Sequence, residues 1–428
     1  MSRTSKEVII TSDSSGQNWN AAVYSPNTGS LLMNYKGGGA LTYHTLQLLN
    51  DSYILGADLT KNRLHVWPLN SQNPLASPRL ITPGKVTALV CTPSGAYIVA
   101  AVSEKLFIWQ TSTGRLLITL TRHYQTVTCL SVSSDGTVFA SGAEDGLVFV
   151  WSLFHVLNDE APSPVHGFTD HVLPVKDVLL GHFGARCRLC SASLDRTINI
   201  YEAMLGQLLL KLVFDVPLTS VCMNIKESDL FAGCANGNVF RFNLHEPPRG
   251  LEHHVRIDNQ KSDNAAESNA FLGHTSSVVC LSASTDCQTL LTASSDGKVN
   301  IWDIASRQVL RTIEHKGSIT SAFFAKYYDN FQAAELSPSL ILHSLQRTSE
   351  QSDNESPIEI IRGSNASSDF LNFDSYVDNN IGSKQVSDQS EKIAEMREEL
   401  ERLKKINADL YKFSAKIILG QAKSSQRE

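Results

Sequence analysis

Short runs of apolar and β-branched residues recur along the first three quarters of the chain, and each run ends in an aromatic residue. These endpoints are Tyr24, Trp67, Trp109, Trp151, Tyr201, Phe242 and Trp302. The intervals between them are 43, 42, 42, 50, 41 and 60 residues, so a unit of about 42 residues repeats, with two insertions. Within each unit, turn residues separate the runs at the spacing typical of an all-β repeat.

The repeated unit also carries polar residues at fixed places. A His lies in the loop that enters the unit, a Ser or Thr on the second strand, an Asp in the next turn, and a Trp at the end of the third strand. These types can form one hydrogen-bonded chain that ties a unit together. The candidates are His123, Ser141, Asp145 and Trp151 in one unit, and His274, Thr292, Asp296 and Trp302 in another. A weaker copy contains His171, Asp195 and Tyr201.

A His, an Asp and a Ser together also suggest a hydrolase if the set occurs once. Here the set recurs at the repeat period, which favours a structural role. The sequence has no G-x-S-x-G motif, P-loop or dinucleotide fingerprint. We therefore expect no catalytic residue and no cofactor.

Seven aromatic endpoints indicate seven units of four strands, and the units resemble WD40 repeats. The first unit has runs near Glu7–Thr11, Trp19–Tyr24 and Leu31–Tyr35 but lacks an innermost strand. The run at 315–325 supplies a spare one, and pairing the two would remove the open sheet edges. The prediction is an all-β fold, a seven-bladed WD40 β-propeller over residues 1–325.

Composition and charge narrow the class of protein. The 37 Lys plus Arg against 43 Asp plus Glu give a net charge of −6, which argues against nucleic-acid binding through a global basic field. Direct contact with RNA stays open. No apolar run approaches the roughly 20 residues that cross a bilayer, so no membrane partner is expected. The eight cysteines lie mostly in apolar runs and predict reduced, buried thiols.

No metal site is expected. Cys187 and Cys190 form a lone C-x-x-C pair without a second Cys or His pair at zinc spacing. The insertion at 244–269 holds three histidines without cysteine partners. That insertion and the one at 154–170 are either partner-binding loops on a rigid scaffold or tolerated loops without a role.

The composition changes after residue 325. Residues 326–345 are apolar enough to dock on the propeller or on a partner. Residues 346–390 hold eight acidic and three basic residues and predict a disordered linker. Residues 391–419 have an apolar stripe at heptad spacing and predict a coiled-coil helix that forms a homodimer. The stripe consists of Ile393, Met396, Leu400, Leu403, Asn407, Leu410 and Ile417. The alternative is a lone amphipathic helix that packs on the propeller.

Several strings in this order resemble the family of WD-repeat-containing protein 18. They are LLMNYKGG at 31–38, TGRLLITLTRHYQTVTCL at 113–130, VFVWSLFHVL at 148–157, LLLKLVFDV at 208–216 and LKKINADLYKFSAKII at 403–418. The terminal string is the most diagnostic, because other WD40 proteins lack it. The resemblance covers about residues 5–345 and 391–419 and leaves the linker out.

The resemblance implies a non-enzymatic subunit of a nuclear complex, found in the nucleolus and nucleoplasm, that acts on precursors of the large ribosomal subunit. It implies a role in removing the second internal transcribed spacer. The implied partners are a second copy of the chain, a proline-, glutamate- and leucine-rich scaffold, a testis-expressed HEAT-repeat-like protein, and the AAA ATPase midasin on the precursor particle.

Two other functions compete with this one. A substrate receptor of a cullin-type ubiquitin ligase often has a W-D-x-R sequence, but here Trp302-Asp303 is followed by Ile304 and Ala305, with Arg307 displaced. An enzyme with an added propeller would need a further folded segment, which the chain lacks room for.

Overall fold

Seven β-sheets make up the part of the chain that the computed structural model describes. The described residues are 7–16, 19–159, 161–246, 250–255, 270–336, 338–348, 402 and 404–406. The chain divides into two units, residues 1–363 and 364–428, and all the described strands belong to the first.

The strands are short, and most have the β-branched and aromatic content that favours a pleated, buried sheet. In the first three blades they are β1 (Glu7–Asp13), β2 (Ala21–Tyr24), β3 (Leu31–Tyr35), β4 (Gln47–Leu49), β5 (Tyr53–Ala57), β6 (Arg63–Pro68), β7 (Leu80–Ile81), β8 (Val86–Cys91), β9 (Tyr97–Val102), β10 (Lys105–Gln110) and β11 (Leu116–Thr121). In the fourth and fifth they are β12 (Val127–Val132), β13 (Val138–Ala143), β14 (Val148–Ser152), β15 (His166–Phe168), β16 (Val175–Leu180), β17 (Arg188–Ser193), β18 (Thr197–Glu202) and β19 (Gln207–Phe214). The rest are β20 (Leu218–Met223), β21 (Asp229–Cys234), β22 (Val239–Asn243), β23 (Glu252–Val255), β24 (Ala270–Phe271), β25 (Val278–Ala283), β26 (Thr289–Ser294), β27 (Lys298–Asp303), β28 (Val309–Glu314) and β29 (Ile319–Lys326).

Each sheet is one blade whose strands pair in order from the axis outward. Blade 1 is β29-β1-β2-β3, blade 2 is β4-β5-β6-β7, blade 3 is β8-β9-β10-β11, blade 4 is β12-β13-β14-β15, blade 5 is β16-β17-β18-β19-β23, blade 6 is β20-β21-β22-β24, and blade 7 is β25-β26-β27-β28. The predicted seven-bladed propeller is confirmed.

Blade 1 joins the two ends of the ring. Strand β29 pairs antiparallel with β1, from Glu7 opposite Lys326 to Thr11 opposite Ala322. The innermost strand that the first repeat lacks therefore comes from the chain after the seventh blade. This pairing leaves no blade-sized gap and protects the inner edges of the first and last blades.

The core is divided among the seams between blades. Seven apolar clusters lie between successive blades, including the pair formed by blade 7 and blade 1. The indole rings of Trp67, Trp109 and Trp151 are fully buried in these clusters. Because each blade buries apolar surface on both of its faces, no blade has a stable core alone, and the closed ring folds as one body.

Hydrogen bonds from innermost strands also tie neighbouring blades together. The hydroxyl of Thr87 donates to the Val127 carbonyl of the next blade at 2.7 Å, and Thr128 donates to Val175 at 2.6 Å. Between blades 5 and 6, the Asp177 carboxylate accepts from the backbone nitrogen of Val221 at 2.9 Å. These bonds line the axis of the ring and fix the blades relative to one another.

The two insertions add to blades. The first, at 154–170, forms most of helix α1 (Leu153–Asn158) and then β15, the outer strand of blade 4. The second contributes β23, which lies parallel to β19 as a fifth strand of blade 5. Among the described residues, no helix is long and apolar enough to cross a bilayer. The insertion at 154–170, expected between two blades, instead supplies the outer strand of blade 4.

All eight cysteines are free thiols, and seven are buried. Burial raises the pKa of the Cys91 thiol to about 12, and it raises the pKa of Cys190 as well. Thiols in this state are not nucleophiles at neutral pH. Cys187 is a core residue of the seam between blades 4 and 5, and Cys190 is a core residue of the seam between blades 5 and 6.

Candidate functional site

The polar network of blade 7 connects four side chains from the entry loop, strands β26 and β27, and the turn between these strands. His274 lies 3.3 Å from Asp296 through Nδ1 and 2.7 Å from the Thr292 hydroxyl through Nε2. The indole nitrogen of Trp302 donates to the same hydroxyl at 2.8 Å. The structure thus brings together all four residues that the repeat pattern selected in this blade.

The two end groups of this hydrogen-bonded network, the carboxylate and the indole, determine which atoms donate and which accept. A carboxylate only accepts and an indole N–H only donates, so His274 donates from Nδ1 to Asp296 and accepts from Thr292 at Nε2. Burial lowers the pKa of His274, against a smaller raising effect of Asp296, which keeps the ring neutral as this arrangement requires. Burial alone would raise the pKa of Asp296, but backbone N–H groups of Lys298 and Thr275 and the nearby His274 lower it overall.

Blade 4 repeats this geometry. His123 lies 3.2 Å from Asp145 and 2.8 Å from the Ser141 hydroxyl, to which the indole nitrogen of Trp151 donates at 3.1 Å. Ser141 is fully buried and bonded on both sides. Burial and bonding on both sides are what a structural tie within the blade requires.

Blade 5 has a fuller network than the sequence indicated. His171 lies 2.9 Å from Asp195 and 2.7 Å from Ser191, a residue that sequence reasoning did not select. Tyr201 instead donates to Asp170 at 2.8 Å. Ser191 could have been found from the strand register. It lies opposite the residue two before Tyr201, just as Thr292 lies opposite the residue two before Trp302.

Each network also fixes the loop that enters its blade. The carboxylate that orients the histidine accepts the backbone N–H of the next residue, which is Tyr124 for Asp145, Val172 for Asp195 and Thr275 for Asp296. A loop held in this way presents its side chains from a rigid backbone. Such preorganisation lowers the entropy cost of binding a partner.

Blade 3 departs from the pattern. Ala100 pairs with Phe107, in the position that Ser141 occupies opposite Phe149 in blade 4. No hydroxyl is therefore available there to the indole nitrogen of Trp109. That nitrogen donates instead to the backbone oxygen of Gln346 at 2.8 Å, a residue that follows the last blade in the sequence.

Gln346 belongs to a segment, residues 327–348, that we call the strap. After β29 the strap makes a 3-10 turn at Asp329–Phe331 and buries Phe331 in the seam between blades 1 and 2. It then buries Leu340, Leu342 and Leu345 in the seam between blades 2 and 3. Residues 326–345 were expected to dock on the propeller or on a partner, and in the structure the strap packs on the propeller.

Polar contacts fix the strap at both ends of this second seam. The Asp51 carboxylate accepts from the Ser339 hydroxyl at 2.5 Å, and Asn330 donates to the Asp51 carbonyl at 2.7 Å. At the far end, the Gln346 backbone donates to Gly114 at 2.8 Å, and its side-chain oxygen accepts from Leu116 at 3.2 Å. Gln346, which the sequence analysis assigned to the linker, is thus bound to blade 3.

Gly114 shows how closely the strap approaches. Its φ of +68° is a conformation that favours glycine, and a Cβ atom there would overlap the carbonyl oxygen of Ser344. The turn between β10 and β11 therefore accommodates the strap only with glycine at this place.

The predicted dimerisation residues Ile393, Met396, Leu400, Leu403, Asn407, Leu410 and Ile417 lie outside the described residues. Within 391–419 the structure describes Arg402 and residues 404–406, all in helical conformation. The coiled coil stays a prediction. In the described part of the chain, no group of three or more His, Cys, Asp or Glu side chains could hold a metal ion.

Seven blades closed into one ring, two of them with a buried His–Ser/Thr–Trp network, define a WD40-repeat propeller, a class of protein that presents rigid surfaces to partners. The family profile of the WD domain, G-beta repeat, matches residues 114–152 and 267–303, and that of the WDR18 C-terminal helix matches residues 376–421. WD repeat-containing protein 18 of Danio rerio is 34% identical over 430 residues, covering 96% of this chain and 98% of the relative. The human protein of that name is 34% identical over 440 residues, covering 97% and 99%. The chain belongs to the WD repeat-containing protein 18 family.

A more distant relative has a functional name. The pre-rRNA-processing protein pro-1 of Caenorhabditis elegans is 25% identical over 337 residues, which cover 77% of this chain and 63% of that protein.

Proposed function

We propose that this chain is a non-enzymatic scaffold subunit in the processing of precursor ribosomal RNA for the large subunit, and that it acts in the nucleus. The observation that carries the proposal is similarity along 96% of the chain to WD repeat-containing protein 18, together with a matching C-terminal helix at 376–421. The name of the pre-rRNA-processing relative supports the pathway.

The geometry supports a scaffold. The histidines and hydroxyls of blades 4, 5 and 7 are buried and bonded within their blades, so the described networks supply rigidity. Loops held by buried carboxylates offer fixed surfaces on several blades. Such a ring binds partner segments around its rim without chemistry of its own.

The strap fixes the point at which the polypeptide leaves the propeller. It holds the chain on blade 3 at Gln346, so the linker begins from a fixed point of the ring. If residues 391–419 pair with those of a second copy, two rings are linked and every binding surface is doubled. Linking two weak sites raises avidity by roughly 10²–10⁴ when both sites can be engaged together.

The proposed partners are those that the family resemblance implies. They are a second copy of this chain, the proline-, glutamate- and leucine-rich scaffold, the testis-expressed HEAT-repeat-like protein, and midasin on the precursor particle. The proposed sites of action are the nucleolus and nucleoplasm.

Depletion and rescue test this function. In cells depleted of the protein, we expect precursor RNAs that retain the second internal transcribed spacer to accumulate on Northern blots. Re-expressed wild-type chain should remove them, and a chain with Leu403→Asp and Leu410→Asp should do so poorly. Normal levels of these precursors after depletion would overturn the proposal.

A further inference from the structure

The seat of the strap shows how this propeller binds an extended peptide. Leu340 and Leu342 enter the seam between blades 2 and 3, while Ile341 between them is 66% exposed. This alternation is that of an extended strand. The seat lies between the β4–β5 turn, which carries Asp51, and the β10–β11 turn, which carries Gly114.

A groove with the same construction lies at the seam between blades 7 and 1, and we call it the open groove. Its volume is about 830 Å³. Blade 7 contributes Asp286, Leu310 and Arg311, and blade 1 contributes Glu7, Pro26 and Leu32.

The repeat symmetry relates the parts of the two sites. Asp286 lies in the turn between the first two strands of blade 7, as Asp51 does in blade 2. Pro26 lies in the turn between the last two strands of blade 1, as Gly114 does in blade 3. The open groove therefore has the same place between two blades as the strap seat. The two sites differ at the outer turn, where the Arg311 side chain lies beside Gly29, the counterpart of Gly114.

The two sites differ in what covers them. Phe331 fills the seam between blades 1 and 2, and Val156 of α1 packs into the seam between blades 3 and 4. In the open groove, Leu310 is 54% exposed and Leu32 is 47% exposed, and the start of the strap reaches the lining at Tyr327 and Gln332. Exposed apolar side chains grouped in a groove indicate a binding surface.

Charge indicates the direction of a bound segment. The Asp286 carboxylate lies on the inner side of the open groove, and Arg311 lies on the outermost strand of blade 7. The Glu7 carboxylate beside Asp286 already accepts hydrogen bonds from Ser284 and Thr285. In the strap seat, the corresponding Asp51 accepts a hydrogen bond from Ser339, one residue before the first buried leucine. A basic residue at that place in a ligand would face the Asp286 carboxylate of the open groove.

We propose that the open groove binds an extended segment of a partner protein that carries leucines at alternate positions, with a lysine or arginine directly before them. This inference goes beyond the proposed function and does not depend on it. The binding geometry is that of the strap in its own seat.

The probe is a fluorescein-labelled peptide of the strap sequence 335–347 with Ser339→Lys, titrated against the full chain and followed by fluorescence anisotropy. We expect saturable binding that weakens at least tenfold in Leu310→Asp and in Leu32→Asp. Both side chains are half-exposed, so neither change disturbs the core. Leu205→Asp, at a leucine 62% exposed on the β18–β19 turn, is the matched control and should bind as the wild type does.

A charge exchange tests the direction. A second peptide with Ser339→Glu should bind the wild type about threefold more weakly than the lysine peptide, and Asp286→Lys should reverse this order. Binding that persists in Leu310→Asp, or that is lost equally in Leu205→Asp, would overturn the proposal. So would a tenfold gain in affinity on removing residues 2–6, because the chain's own N-terminus would then be the occupant.

Discussion

The indole nitrogen of Trp109 donates a 2.8 Å hydrogen bond to the backbone oxygen of Gln346, although 237 residues separate them in the chain. In blades 4 and 7 the corresponding tryptophans bond to Ser141 and Thr292 inside their own blades. Blade 3 has Ala100 where that hydroxyl would lie. The strap therefore completes blade 3 and belongs to the propeller.

Shortening a strap leucine should destabilise the whole ring. Leu340 is 2% exposed and lies in the core cluster of blades 2 and 3, so Leu340→Ala should lower the free energy of unfolding by about 2–5 kcal/mol. Ile341→Ala, at the exposed neighbour, should change it by less than about 0.5 kcal/mol. Urea denaturation measures both, and equal effects would contradict the assigned seat of the strap.

A side chain at Gly114 should displace the strap. Gly114→Ala places a Cβ atom on the Ser344 carbonyl, so the amides of 339–346 should exchange hydrogen faster. Gly39→Ala is the matched control, because Gly39 also has a positive φ, +77°, but nothing lies within 4 Å of its Cβ position. Hydrogen exchange read by mass spectrometry should show the strap accelerated in the first variant and unchanged in the second.

Removing one hydroxyl should break the blade 7 network. Thr292→Val leaves His274 Nε2 and the Trp302 indole nitrogen without this partner in a buried site, which should cost about 1–3 kcal/mol of unfolding free energy. Thr275→Val, in the exposed entry loop, changes the same atoms and should cost little. Denaturation curves that coincide for the two variants would show that the network does not stabilise the blade.

The buried histidines should make stability depend on pH. Burial lowers the pKa of His274 in the folded chain, so between pH 7 and 5 the unfolded chain takes up the proton more readily. The stability that neutral His274 contributes to the folded chain is complete above about pH 6.5 and is lost as the pH falls. Burial raises the pKa of Asp177 to about 7, an opposite contribution that is common to wild type and variant.

The comparison with His274→Asn isolates the histidine. At pH 7 the wild type should be the more stable, and its advantage in unfolding free energy should shrink as the pH is lowered to 5. Urea titrations at both values measure the difference. An advantage that grows toward pH 5 would mean that the folded state favours protonated His274.

The repeat pattern was enough to predict the ring and two of its networks, because an aromatic endpoint and a His–Asp pair recur at a fixed interval. The strap was only half predictable. Its leucines indicate a buried segment, but the partner of Trp109 depends on the missing hydroxyl at Ala100 and on a contact distant in sequence. Strand β23 carries Glu252, His253 and His254, and its place in blade 5 depends on pairing with β19 rather than on its own apolar pattern.

The mass of the purified chain in solution tests most directly the claim that a rigid ring is joined to a second copy through its C-terminal helix. Multi-angle light scattering should give about 94 kDa for the wild type, twice the 47.0 kDa of one chain. The double variant Leu403→Asp, Leu410→Asp should give one chain mass with the thermal unfolding of the propeller unchanged. A wild type that is already monomeric, or a variant of unchanged mass, would contradict the account.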